Sequence, residues 1–74
     1  MQQLDRIIEL REAGIIDELF NTGLISTSTV MHINIAADFY TLAQTETEKD
    51  ARQKVMKRYR ASLPLFYKAI NRFK

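Results

Sequence analysis

The chain has 74 residues, 46% of them hydrophobic, a formal net charge of +2 at pH 7 and no cysteine. That length gives a single domain (1–74) close to the lower limit of independent folding, since a domain of about 60 residues buries only ~60% of the surface its unfolded chain exposes, and it argues against a deep cavity of ligand size. Without cysteine there is no disulfide framework, thiolate metal site or thiol nucleophile; this suits a reducing cytoplasm, the charged start MQQLDRIIELRE lacks the apolar run of a signal peptide, and no segment approaches the ~20 apolar residues of a bilayer span.

Glycine and proline occur only at Gly14, Gly23 and Pro64, and the apolar residues recur at helical spacing, which predicts an all-α chain of four to five helices. The first helix is expected over about Gln3 to Ala13, with Leu4, Ile7 and Ile8 on one face. Gly14 either ends it or is tolerated inside it at a cost of about 1 kcal/mol relative to alanine. Ile15, Ile16, Leu19 and Phe20 predict a second, short helical turn, stopped at Asn21-Thr22-Gly23, where Gly23 can take the left-handed conformation.

The hydroxyls of Ser26-Thr27-Ser28-Thr29 are natural N-caps for a helix over Thr29 to Ala43. TVMHINI also alternates as a strand would, but no second convincing strand exists to pair with it. On the helical reading Val30, Ile33, Ala37 and Tyr40 share one side, and Met31, Ile35, Phe39 and Leu42 another. Only Asn34, Asp38 and Thr41 make a narrow polar strip. A helix so nearly apolar all round must be covered on more than one side, as a central helix or in a dimer interface.

Thr47 with Asp50 three residues on reads as an N-terminal cap for a helix from Glu48 to about Arg60, with Ala51, Val55 and Tyr59 inward and Met56 at the edge. A corner follows at Arg60-Ala61-Ser62. Ser62 is placed as the next N-cap, and Pro64 falls in the first turn, where its missing N–H costs nothing. In the last helix, 63–73, an apolar arc of Leu63, Phe66, Ala69, Ile70 and Phe73 faces inward. Lys68, Asn71 and Arg72 point outward, with Pro64 and Leu65 beside them.

Charge is unevenly distributed. Residues 1–45 carry Arg6 and Arg11 against six acids, a net −4, whereas residues 46–74 carry nine basic residues against Glu46, Glu48 and Asp50, a net +6. A basic half on a nearly neutral chain points to a polyanion and says where it would bind; a solvated basic surface explains the charge equally well.

Tyr59-Arg60-Ala61-Ser62, followed by Leu63-Pro64-Leu65-Phe66-Tyr67-Lys68-Ala69-Ile70-Asn71-Arg72-Phe73, resembles the helix-turn-helix of tri-helical, homeodomain-like DNA-binding proteins of bacteria, phages and mobile elements. Ala51 supplies the small residue of the preceding helix. Arg60 stands where glycine is commonest, and Leu63-Pro64-Leu65 where polar residues usually are. The resemblance implies a tri-helical unit over 26–74 with an attached N-terminal helical segment, 1–25, and insertion of helix 63–73 into the major groove of double-stranded DNA. On that reading Leu65, Tyr67, Lys68, Asn71 and Arg72 face the bases, and Lys54, Lys57, Arg58, Arg60, Ser62 and Lys74 meet phosphates. The implied use is regulation of transcription, or a DNA-packaging or recombination accessory. The N-terminal apolar residues are then placed to build a homodimer, since such modules usually bind paired half-sites.

Other chemistry finds little support. His32 is the sole histidine, which makes neither a metal ligand set nor a catalytic pair, so a structural or solvated role is expected. No base is placed to activate the serines and threonines, and no glycine-rich phosphate loop is present. Neither enzymatic activity nor a metal or cofactor is expected. Asp5, Glu9, Glu12, Asp17 and Glu18 read as solvated helix faces. Phe66 and Phe73 sit at core spacing, while Tyr67 lies at the boundary. The remaining alternative is a protein–protein adaptor or dimerisation module with a basic face, for which Leu65 and Tyr67 matter more than Lys68 and Arg72.

Overall fold

The computed structural model describes residues 2–73. They form five helices, α1 (Gln2–Glu12), α2 (Ile15–Asn21), α3 (Thr27–Leu42), α4 (Glu48–Tyr59) and α5 (Leu63–Arg72), with no strand among the described residues. Among the described residues no helix is long and apolar enough to cross a membrane.

Local chemistry accounts for the boundaries. Gly14, at φ 79°, separates α1 from α2. After α2 the chain closes with a left-handed Gly23, whose N–H reaches Phe20 O at 3.0 Å while Leu24 N reaches Leu19 O at 2.9 Å. These paired bonds satisfy carbonyls the helix end would otherwise leave open. Ser26 Oγ accepts from Thr29 N at 3.1 Å, so α3 begins two residues earlier than the hydroxyl run suggested. Thr47 and Ser62 cap α4 and α5 by accepting from Asp50 N at 3.2 Å and Leu65 N at 3.3 Å.

TVMHINI lies within α3, and α3 is the centre of the fold. Among the described residues it packs against all four other helices, while α1 and α2 make no close backbone approach to α4 or α5. Its near-continuous apolar surface is thus covered within one chain. Ile35, Ala36 and Ala37 are fully buried on it. The small side chains Ala36, Ala37, Ala51 and Ala69 let neighbouring backbones approach, and Phe66 fills the space between, edge-on to Phe39 at a centroid distance of 5.0 Å. One apolar cluster runs from Leu4 and Ile16 through α3 to Phe73.

The inward face of α4 is as expected, with Ala51 and Val55 fully buried. In α5 the expected arc shifts. Phe66, Ala69, Ile70 and Phe73 are buried, but Leu63 is 46% exposed, and Leu65 is half-buried against the core. The seam is centred on the phenylalanines, so the two leucines lie on its opposite flanks at 100° per residue, and the body of the protein covers the flank of Leu65.

Candidate nucleic-acid interface

The corner between α4 and α5 sets the position of every candidate side chain. Helix α4 ends on Arg60, the only described non-glycine residue with positive φ, at 51°. Arg60 N bonds Lys57 O at 3.4 Å and Ala61 N bonds Met56 O at 2.9 Å, the same closure that Gly23 makes after α2. Three residues later α5 starts under the Ser62 cap, with Pro64 in its first turn. The corner therefore turns the chain with the Arg60 and Ala61 N–H groups bonded, and the buried seam of α5 fixes the rotation of that helix about its axis.

On the outward side of α5, Lys68 and Asn71 are exposed and have no side-chain partner among the described residues. Tyr67 is 44% exposed, and its hydroxyl accepts a hydrogen bond from Arg52 Nη1 at 3.1 Å, tying α5 to α4. Leu65 is withdrawn from this face by its packing against the core, and Leu63 is the exposed leucine. Arg72 is exposed but tied back: Nη1 contacts His32 Nδ1 at 2.9 Å, Nη2 donates to Thr29 Oγ1 at 3.2 Å, and the guanidinium stands 5.9 Å from the centre of the Phe73 ring.

The phosphate-side candidates divide similarly. Lys57 and Arg60 are exposed without side-chain partners among the described residues. Lys54 pairs with Glu46, and Arg58 donates to Asp38 Oδ2 at 3.2 Å. Ser62 is occupied with capping. Lys74 lies outside the described residues. Both paired residues keep more than half of their side chains exposed, 58% for Lys54 and 57% for Arg58. The cationic ends thus stay open to a phosphate, while the carboxylates they bond, Glu46 and Asp38, are 23% and 13% exposed.

Three participants are absent from the sequence expectation: Arg52, Thr29 and His32. Their partners lie 15, 43 and 40 residues away, so no local spacing could have revealed them. His32 is only 4% exposed, the structural outcome among the expected roles. Burial, then the charges of Arg72 and Lys68, pushes its pKa below the ordinary histidine value.

Beneath the surface, Asp38 joins three helices. Its carboxylate accepts from Arg11 Nη1 at 3.0 Å, from Arg58 and from the Tyr59 hydroxyl, and Arg11 Nη1 also reaches Asn34 Oδ1 at 3.3 Å. Burial works to raise the Asp38 pKa, but the hydrogen bonds from Tyr59, Arg11 and Arg58 together outweigh it and hold the carboxyl below its usual range. Burial, with the Asp38 carboxylate beside it, raises the Tyr59 phenol.

Comparison with family models, curated proteins and solved structures finds no match to this chain.

Proposed function

We propose that the protein binds duplex DNA, presenting the outward side of α5 to the major groove and the end of α4 with its corner to the phosphate backbone. The observation that carries this reading is the division of α5. Phe66, Ala69, Ile70 and Phe73 anchor one side, while Lys68, Asn71 and Arg72 remain exposed on the other. A groove about 12 Å wide admits a helix held in this way. Lys57 and Arg60 add exposed charge beside it. Arg72 sits next to the first turn of α3, which holds no acidic residue, so the positive end of that helix reinforces the cationic surface. The use that follows is transcriptional regulation, or an accessory role in DNA packaging or recombination in a phage or mobile element. The exposed Ile15, Phe20 and Leu24 then supply the contact of a homodimer reading paired half-sites.

Fluorescence anisotropy with a random duplex across a salt series tests the reading. Wild type should bind at low salt and lose affinity with a log–log slope of about −3, as for three or so phosphate contacts. A Lys68→Ala/Arg72→Ala variant should bind about tenfold or more weakly. Equal and negligible binding by both proteins at low salt ends the reading.

A second reading, a protein–protein adaptor, is favoured by the exposed Leu63 and Tyr67 on the same helix, at 46% and 44%. It places the energy in apolar contact. Leu63→Ala and Tyr67→Ala would then abolish partner capture, while the double charge variant would leave it intact.

A further inference from the structure

We propose that the contact of Arg72 with His32 and Thr29 is a pH-sensitive latch on the groove-facing side of α5: while the imidazole is neutral the guanidinium is docked on α3, and protonation of the ring releases it toward a polyanion. The latch regulates the surface assigned above, and its functional half rests on that reading.

The atoms in contact dictate the switch. An arginine can only donate, so His32 Nδ1, 2.9 Å from Arg72 Nη1, is the acceptor and the ring proton sits on Nε2. Protonation at Nδ1 would set an N–H against an N–H and a cation against a cation, on a ring only 4% exposed. No carboxylate offsets this. Among the described residues, Arg72 and Lys68, both on α5, are the charged groups acting on the ring, and α1, α2 and α4 present none to it. The contrast with Asp38, where a carboxylate gathers its cations, separates a switch from a structural pair. Burial and the two cations lower the pKa of the ring. The switch point therefore falls below about 6.5, the ordinary histidine value.

The docked state also withholds function. Arg72 commits a hydrogen from Nη1 and one from Nη2 to the protein. An arginine reading guanine needs two parallel donors aimed at O6 and N7. Release frees that fork and adds the charge of His32 beside it. His32 is the only histidine in the sequence.

Two measurements test the latch. In the free protein, nitrogen NMR should show His32 Nδ1 titrating below the ordinary histidine value, with the Arg72 side-chain signals shifting and broadening over the same pH interval. An Arg72→Gln variant, altered at an exposed position, should raise the His32 midpoint. Titration of His32 without any response from Arg72, or an unmoved midpoint in Arg72→Gln, overturns the latch. On a random duplex at constant ionic strength, wild type should bind about tenfold more tightly at a pH below the His32 midpoint found by NMR than near pH 7.5, having gained a charge and freed a donor fork. His32→Gln, whose amide oxygen can still accept but does not titrate, should change less than about twofold. Identical pH dependence in the two proteins overturns the regulation. A coupled NMR titration with no duplex binding at any pH upholds the latch and removes the DNA reading instead.

Discussion

The Asp38 carboxylate accepts from Arg11 on α1 and from Arg58 and Tyr59 on α4, so one side chain of the central helix ties a helix from each side to it. It is 13% exposed, and an amide in its place removes the charge and turns one of the two accepting oxygens into an N–H donor facing the half-buried Arg11 guanidinium and Tyr59 phenol. Asp38→Asn should therefore destabilise the fold by about 2 kcal/mol at neutral pH, measured by urea denaturation. The folded pKa is depressed, so the stability Asp38 contributes is complete above the unfolded value of about 3.9 and is lost as pH falls through the folded value. The gap between wild type and Asp38→Asn should thus hold from neutral pH to about pH 5 and narrow in more acid solution. A gap unchanged at pH 3 would show that the carboxylate charge is not what holds the helices. His32 has the same sign in a higher interval: its neutral ring supports the fold above the ordinary histidine value, and that support fades as pH falls through the lowered one. The sequence marks Asn34, Asp38 and Thr41 as a polar strip, and in the structure the first two are bound by Arg11 while Thr41 is exposed. The strip is legible at helical period, but its partners are not, since Arg11 lies 27 residues from Asp38.

At the scale of elements, the corner 60–62 is the most local feature of the site and the most readable. A helix ending in a left-handed residue, a serine cap three residues before the amide it accepts from, and a proline in the next turn are all properties of adjacent residues. Ser62→Ala removes the cap and should cost about 1 kcal/mol. Arg60→Gly acts in the other direction. A left-handed arginine carries a steric cost of roughly 1 kcal/mol that glycine avoids, so this variant should raise the urea midpoint while weakening duplex binding. A fall in both would show that the Arg60 side chain stabilises the corner. The seam of α5 was less readable, because wheel geometry alone places Leu63 and Leu65 at similar distances from it. Only the packing of the other helices decides which leucine is covered.

At the scale of the whole molecule, α3 separates an acidic helical pair from a basic one. The two pairs make no close backbone approach among the described residues, so the charge asymmetry of the sequence becomes an asymmetry in space. The acidic pair carries Ile15, Phe20 and Leu24 at 37%, 42% and 72% exposure. If these residues join two copies, a Phe20→Ser/Leu24→Ser variant should sediment as a monomer at concentrations where wild type is a dimer. Its unfolding free energy per chain, extrapolated to the monomer, should change by less than about 0.5 kcal/mol, as for surface substitutions. Wild type sedimenting as a monomer throughout would remove the dimer. By itself the sequence determined the helices, their caps, the corner and the location of the positive charge, because each depends on residues within a few positions of one another. Tertiary structure alone decided which charges are occupied. Arg11, Arg52, Arg58 and Arg72 find partners between 15 and 43 residues away, whereas Lys57, Arg60 and Lys68 find none among the described residues. A side chain long enough to reach several neighbours has its partner chosen by the packing of the helices, and that packing depends on the apolar faces of the whole chain together.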